Sequence, residues 1–247
     1  MRLTPDVHLV GSGHSGFDLS DRFDCQVYLV DGGEEAALVD AGIGAGASAI
    51  LGNVEGAGVA SDRIRYLLLT HAHPDHAGGA AALRERLPGM QVMASAQVAA
   101  WVRAGDEEAM SLEAGKRSEF YPRDYRFTPC PVERELGGGD RVGVGRLELQ
   151  AIETPGHAAG HLSFRFAGAA GTTLASGDLV FFDGRVSLAN TWDCRIQDYA
   201  ASMAKLPEAA VEVLLPGHHF VSLKRGQRHT DAANRLFDRG FVPPSVV

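Results

Sequence analysis

Short apolar runs bounded by glycine and polar residues recur along the chain, and they predict a protein rich in strands. Residues 27–30 and 36–39 are two such runs, and the polar segment 31–35 between them is typical of a β-hairpin connection. Residues 64–69 are apolar almost throughout, which predicts a strand covered on both faces. Further strands are predicted at residues 92–94, 142–144, 147–152, 161–166, 172–175 and 211–215.

Helical spacing appears in four other stretches. Residues 76–87 carry apolar side chains at helical intervals, so we predict a helix that ends before Pro88 and Gly89. Residues 95–118 are rich in alanine and helical in propensity, and the aromatic stretch 120–127 interrupts that helix. The last two helices are predicted at residues 196–206 and 230–239. No linker, repeat or low-complexity segment divides the chain, so we predict a single domain over residues 1–247, with two similar α/β halves whose helices cover sheets.

Composition and charge narrow the function classes. The chain has 247 residues, of which 45% are hydrophobic and 22% charged, as in an ordinary globular protein. Its 31 acidic and 23 basic residues give a net charge of −8, which argues against a nucleic-acid partner. The apolar runs are too short to span a bilayer, the first residues lack the apolar region of a secretory signal, and the 3 cysteines are scattered. We therefore expect a cytoplasmic protein without a disulfide framework.

The segment His71-Ala72-His73-Pro74-Asp75-His76 concentrates three imidazoles and a carboxylate directly after a predicted buried strand. Strand periodicity places His71 and His73 on the same side, and Asp75 and His76 lie at the start of the following helix. This pattern predicts two pairs of ligands facing one cavity, as two neighbouring metal ions require. The alternative is a solvated polar loop.

Further candidate ligands follow later strands. His157, Asp178 and His218 each come directly after a glycine at a predicted strand end. A glycine beside a ligand lets the backbone turn tightly without a clashing Cβ atom. Each position alone is a weak signal, but the three together with the first cluster predict a metal centre.

The ordered series His71-x-His73-x-Asp75-His76, His157, Asp178 and His218 resembles the ligand set of the metallo-β-lactamase superfamily. The resemblance implies an α+β fold, a four-layer αββα sandwich with a dinuclear metal site at one edge, and a helical and aromatic insertion at about residues 95–127 near that site. It also implies that Asp40 supports the site behind the ligands, although a structural role at a strand end is the alternative. The first metal would be held by His71, His73 and His157, the second by Asp75, His76 and His218, and Asp178 would bridge both.

The resemblance also implies chemistry. A hydroxide that bridges two divalent ions would attack an ester, thioester or lactone carbonyl of a small molecule, with Asp75 or Asp178 passing the proton to the leaving group. Imidazole and carboxylate ligands favour zinc and are compatible with iron or manganese. We expect a small-molecule substrate, no nucleic-acid partner and no membrane partner, and we keep a homodimer open.

The substrate is less well indicated. Thr154-Pro155-Gly156-His157-x-x-Gly160-His161 is similar to glyoxalase II and to acyl-homoserine lactonases, but Phe181 stands where the lactonases carry a tyrosine, and only a short segment follows His218. Histidines outside the series, His161 and His219, are interpreted as supporting or merely structural. His14 has no motif context, and the alternatives for it are no role or a position that lines the site from an early loop. Aromatic residues of the insertion either form a pocket wall or pack the insertion onto the domain: Trp101, Tyr121, Tyr125 and Phe127.

Two other function classes are weighed against hydrolysis. An iron-dependent oxidoreductase, similar to the persulfide dioxygenases of the same superfamily, would use one iron and part of the ligand set. A non-catalytic binding protein would lack ligands. All seven ligand positions are filled here, which favours a hydrolase with two metal ions.

Overall fold

The computed structural model describes residues 1–206 and 210–247, and its strands form two sheets. The first sheet contains six strands: β1 (Val7–Gly11), β2 (Val27–Asp31), β3 (Ala36–Val39), β4 (Ile64–Leu68), β5 (Gln91–Ala94) and β6 (Arg134–Glu135). These strands are neighbours in sequence order, antiparallel from β1 to β3 and parallel from β3 to β6.

The second sheet contains five strands: β7 (Arg141–Val144), β8 (Leu147–Glu153), β9 (Leu162–Gly168), β10 (Gly171–Gly177) and β11 (Val213–Pro216). Strands β7 to β10 are antiparallel neighbours, and β11 pairs in parallel with β10. Every predicted strand has its counterpart, with ends that differ by up to a few residues. Two strands were not predicted. In β1 the apolar run is interrupted by His8, and β6 consists of two exposed charged residues.

Seven α-helices accompany the sheets within the described residues: α1 (Ala47–Gly56), α2 (Pro74–Ala77), α3 (Ala80–Arg86), α4 (Ala96–Ala104), α5 (Leu112–Arg117), α6 (Ile196–Met203) and α7 (Gln227–Phe237). The helix predicted at residues 196–206 ends at Met203, and the one predicted at residues 230–239 begins earlier, at Gln227. In the parts of the chain that the structure describes, none of these helices is long and apolar enough to cross a bilayer.

Side chains alternate between two apolar layers along the first sheet. Val27 and Leu29 of β2 belong to a core shared with α1, α3 and α4, whereas Tyr28 and Val30 belong to the core between the sheets. A third core lies on the outer face of the second sheet, where Leu174 and Leu214 pack with side chains of α6 and α7. The layers are therefore helices, sheet, sheet, helices, and the predicted αββα sandwich is confirmed.

The helix predicted over residues 76–87 is wrong as a single element. It is divided into α2 and α3 at Gly78 and Gly79, which approach other backbone closely. A Cβ atom at Gly79 would lie 2.0 Å from the carbonyl oxygen of Ala41, and one at Gly78 would lie 2.7 Å from that of Ile43. The two glycines thus let this segment pack against the loop that follows β3.

Two further expectations need correction. The helix predicted over residues 95–118 is interrupted because Gly105, at φ 64°, takes the left-handed conformation that ends α4. Strand β4 is not covered on both faces at its start, since Arg65 is exposed beside the turn at Gly89. The later part of β4, which leads into the segment at His71, is buried as predicted.

Candidate metal centre

The segment from His71 to His76 turns sharply between β4 and α2. Pro74 occupies the first turn of α2, where its fixed backbone angle suits a helix start and its missing N–H is not needed. The amide of His76 donates to the carbonyl of His73 at 2.9 Å, which closes the turn. All four candidate ligands of this segment are buried, His71 and His76 completely.

Three imidazoles converge at the end of β4. Nδ1 of His73 lies 3.1 Å from Nε2 of His71 and 2.9 Å from Nε2 of His157, which follows β8. Ring nitrogens of three neutral histidines cannot all donate to one another, because each ring carries a single N–H. Such a convergence is typical of ligands that face a common metal ion.

A second group lies beside the first. Nε2 of His218, which follows β11, is 3.0 Å from Oδ2 of Asp75 and 3.3 Å from Nε2 of His76. Nε2 of His76 is 3.5 Å from the same oxygen of Asp75. These are the three residues that the resemblance assigned to a second metal.

Asp178 lies between the two groups. Its Oδ1 is 3.5 Å from Nε2 of His76, and its Oδ2 is 3.5 Å from Nε2 of His157 and 3.7 Å from Nε2 of His218. Gly217 leaves room for this carboxylate, since a Cβ atom there would lie 2.2 Å from Oδ1 of Asp178. The seven residues that the sequence predicted are therefore brought together, and we call them the ligand cluster: His71, His73, Asp75, His76, His157, Asp178 and His218.

Asp40 lies behind the ligand segment from His71 to His76 and contacts it from the end of β3. Its Oδ2 accepts a hydrogen bond from Nδ1 of His76 at 2.8 Å, and its Oδ1 accepts one from the backbone amide of Thr70 at 2.7 Å. Asp40 has φ 63°, a left-handed conformation that aspartate tolerates better than most residues. The hydroxyl of Thr70 also lies 3.0 Å from Nδ1 of His71. The expected role of Asp40 behind a ligand imidazole is what this geometry supports.

Separate contacts orient His157 and Asp178, two ligands that follow strands of the second sheet. Nδ1 of His157 donates to the carbonyl of Ser187 at 3.0 Å. The amide of Asp178 donates to Nε2 of His161 at 3.2 Å, and the hydroxyl of Tyr199 lies 2.9 Å from the carbonyl of Asp178. His161 thus supports a ligand although it lies outside the ligand cluster.

Burial and charge set the protonation states of the ligand cluster. Burial lowers the pKa of His73 to about 4 and that of His157 to about 4, so both imidazoles are neutral at neutral pH. Burial alone would raise the pKa of Asp75, but His76 and His218 hold it below its usual range. Neutral imidazoles and an ionised carboxylate are the forms that bind metal ions. Against the effect of burial, the acidic groups around His76 raise its pKa well above its ordinary value, so this imidazole would release its proton on binding an ion.

Two buried polar atoms in the ligand cluster lack a hydrogen-bond partner among the described residues. They are Nε2 of His73 and Oδ1 of Asp178. Buried polar atoms are normally paired, so these exceptions call for an explanation, and an ion beside Asp178 would supply a partner for its oxygen. Histidine and aspartate are ligands for zinc and are also accepted by iron and manganese. The residues therefore fit divalent metal ions.

A cavity of about 790 Å³ opens above the ligand cluster, a volume usual for small-molecule sites. His14, Phe181 and His219 line it, so of the two alternatives for His14 the structure favours a position at the site. The ring of His219 stands 5.9 Å from that of Phe181. The rest of the wall comes from loop and helix segments around residues 111–121, 187–191 and 246–247.

Of the four aromatic residues proposed for the wall, Tyr121 lines the cavity and the other three pack the insertion. The ring of Trp101 contacts that of Trp192, with 5.9 Å between their centres, and the hydroxyl of Tyr125 donates to the carbonyl of Ile43. Phe127 is buried in the core that the first sheet shares with α1, α3 and α4. Local spacing does not separate these two roles.

Sequence reasoning missed three supporting residues. Thr70, Ser187 and Tyr199 orient the ligand cluster through a hydroxyl or a backbone carbonyl rather than as ligands. Thr70 has a local signal, since it directly precedes His71. Ser187 and Tyr199 have none, because their contacts with His157 and Asp178 depend on how loops of the second sheet fold back.

The curated proteins that match this chain include several hydrolases. The chain is 28% identical over 211 residues to the acyl-coenzyme A thioesterase MBLAC2 of Gallus gallus, a match that covers 78% of this chain and 71% of the relative. It is 30% identical over 226 residues to the hydroxyacylglutathione hydrolase of Acidiphilium cryptum, covering 90% of this chain and 76% of the relative. Other hydroxyacylglutathione hydrolases are matched over about a third to a half of their length, such as 30% of that of Cereibacter sphaeroides and 48% of that of Chelativorans sp..

Solved structures agree with the fold. A metallo-beta-lactamase with a HARLDQ motif from Cronobacter sakazakii superposes with a TM-score of 0.70 at 28% identity, covering 88% of this chain and 80% of that one. The sequence profile of the metallo-beta-lactamase superfamily matches residues 20–218, a range that contains the whole ligand cluster. The chain therefore belongs to the metallo-beta-lactamase superfamily, and its His and Asp groups are able to hold metal ions.

Proposed function

We propose that this chain is a hydrolase that holds two divalent metal ions, with zinc as the preferred metal, and cleaves an ester, thioester or lactone of a small molecule. The observation that carries the proposal is the division of the ligand cluster into two groups of three with Asp178 between them. His71, His73 and His157 would hold one ion, Asp75, His76 and His218 the other, and Asp178 would contact both.

Bound ions would lower the pKa of water enough to supply hydroxide near neutral pH, and would polarise the carbonyl that the hydroxide attacks. The chain's own part is to fix the ligands and to admit the substrate. Asp40 holds His76, Ser187 holds His157, and the cavity leaves room for an acyl compound above the ligand cluster.

Proton transfer to the leaving group falls to a carboxylate of the ligand cluster. Asp75 and Asp178 both line the cavity. Both oxygens of Asp75 are engaged, Oδ1 with the hydroxyl of Tyr121 and Oδ2 with His218, whereas Oδ1 of Asp178 has no hydrogen-bond partner in the described chain. Because a bound ion would engage that oxygen as well, both Asp75 and Asp178 stay candidates for the proton transfer.

The substrate class favoured here is a thioester. The two relatives named above act on acyl derivatives of thiols, one on acyl-coenzyme A and one on hydroxyacylglutathione. The lactone alternative is weakened by Phe181, which lines the cavity and has no hydroxyl to donate to a developing oxyanion.

The test combines metal analysis with a substrate panel. We expect two zinc ions per chain, and hydrolysis of thioesters in preference to other esters, lactones and β-lactams, lost on chelation and restored by zinc. His71→Ala should abolish the activity, whereas His8→Ala, a histidine of β1 remote from the cavity, should retain it. One iron per chain together with oxygen consumption would overturn the proposal in favour of an oxidoreductase, and full activity of His71→Ala would show that the assigned site is wrong.

A further inference from the structure

Tyr121 connects the insertion to the ligand cluster. Its hydroxyl donates to Oδ1 of Asp75 at 2.5 Å, and the side chain is 6% exposed at the base of the cavity. A hydrogen bond to an ionised carboxylate is among the stronger kinds in proteins, and its short length agrees with that. The contact joins residues 46 positions apart, so it depends on how the insertion packs.

The two oxygens of Asp75 have different surroundings. Oδ1 accepts from Tyr121, whereas Oδ2 faces the imidazoles of His218 at 3.0 Å and His76 at 3.5 Å. A carboxylate without the phenol could rotate about its last bond and exchange its oxygens. With Oδ1 engaged, Oδ2 remains the oxygen directed at the position between His76 and His218.

The phenol ring itself is held by α5 and by the loop that follows it. The amide of Tyr121 donates to the carbonyl of Gly115, and a Cβ atom at Gly115 would lie 2.2 Å from the ring. Tyr121 also packs in a small apolar cluster with Ile43 and Leu112. The position of the hydroxyl is thus set by the contacts that the ring and backbone of Tyr121 make with these neighbours.

We propose that Tyr121 is a positioning residue that fixes Asp75 as a ligand through Oδ2 alone, and so couples the packing of the insertion to metal affinity at the position of Asp75, His76 and His218. This inference rests on the proposed function, because it presupposes that this group holds an ion. Partners behind a metal ligand typically change affinity or activity by about 10- to 100-fold when they are removed.

The experiment compares Tyr121→Phe with Tyr125→Phe. Both variants remove one phenol hydroxyl from the same insertion, but the hydroxyl of Tyr125 donates to a backbone carbonyl, that of Ile43, and does not contact the ligand cluster. Metal-free protein of each variant is titrated with Co²⁺, followed by visible absorption and calorimetry, and folding is checked by circular dichroism and thermal unfolding.

For Tyr121→Phe we expect one of two Co²⁺ dissociation constants to rise by about 10-fold or more while the other is unchanged, with an altered cobalt spectrum. Excess metal should restore kcat with little change in KM. Tyr125→Phe should match the parent protein in both constants. If the parent binds two ions and Tyr121→Phe has the same constants and spectrum, or if Tyr125→Phe weakens binding equally, the inference is wrong and the proposed function stands. If the parent binds fewer than two ions, the proposed function itself fails.

Discussion

The two halves of the molecule supply the ligand cluster in different ways. The first half provides four ligands within six consecutive residues, His71 to His76, and one acidic residue, Asp40, contacts both His76 and the amide of Thr70 that directly precedes them. The second half provides His157, Asp178 and His218 from three separate loops, each placed by the end of a different strand. Substitution of one supporting residue should therefore displace several ligands in the first half, but only one ligand in the second.

The supporting contacts differ in kind as well. In the first half, Asp40 accepts from the imidazole of His76, which is a ligand, and from the backbone amide of Thr70, which directly precedes the ligand segment. Tyr199 reaches the second half only through backbone groups: its hydroxyl lies 2.9 Å from the carbonyls of Asp178 and Ser187 and accepts from the amide of Ser187 at 3.1 Å. A contact to a ligand side chain sets its chemistry, whereas a contact to its backbone mainly sets the fold of its loop.

The largest effect should come from removing a ligand in each half. His71→Ala and His157→Ala should each lower kcat/KM by about 100-fold or more, because loss of a ligand should exceed the cost of losing a supporting partner. Metal content measured by emission spectroscopy and kcat/KM for a thioester would check this. Near-normal activity in His157→Ala alone would break the comparison, since the second half would then be dispensable.

The next effect separates the two kinds of support. Asp40→Asn should weaken metal affinity by about 10- to 100-fold, because asparagine tolerates the left-handed backbone but cannot match the charged acceptor for His76. Tyr199→Phe should instead lower the free energy of unfolding by about 1–3 kcal/mol, since buried carbonyls lose a hydroxyl donor. Chelator competition and urea unfolding measure the two quantities. An equal loss of metal affinity in both variants would contradict the distinction.

The last effect concerns the dependence of stability on pH, through Asp24 in a loop of the first half. Asp24 is buried, its Oδ1 accepts from the amide of Ile43 at 2.7 Å, and burial raises its pKa from 3.8 to about 6. A raised carboxyl pKa means that the folded protein keeps the proton where the unfolded chain has lost it. Asp24 therefore contributes less stability as the pH rises from about 4 to about 6, by up to about 3 kcal/mol.

Urea unfolding of metal-free protein at several pH values checks this prediction. The stability of the parent protein relative to Asp24→Asn should fall across that range and level off above it. A rise instead would mean that the hydrogen bonds from Ser20, Asp21 and Ile43 outweigh burial and that the pKa is lowered.

The contrast between the halves also explains what the sequence predicted well. The ligands of the first half form a local pattern, and those of the second half share a glycine before a ligand at a strand end, so the sequence singled out all seven residues that the structure brings together. Asp40 was singled out differently, through the resemblance to the superfamily. The ligands could be predicted because each lies within a few residues of a predicted strand end, and these strand ends meet at one edge of the sheets.

Features that depend on distant contacts were not predictable in this way. The division of one helix at Gly78 and Gly79 follows from a close approach to the loop after β3, and helical spacing on either side gives no sign of it. The contact between Tyr121 and Asp75 requires the insertion to fold back onto α2. Trp101 and Tyr125 have the same aromatic character as Tyr121 but pack elsewhere.

The hydrogen bond from Tyr121 to Asp75 also constrains protein engineering. The cavity wall contributed by residues 111–121 lies outside both sheets, which makes it an obvious segment to exchange between relatives in order to alter substrate preference. A transplanted segment that fits the cavity but offers no donor to Oδ1 of Asp75 would change the substrate range and weaken the catalyst at once. Successful grafts should therefore be selected for a phenol at this position before they are screened for new substrates.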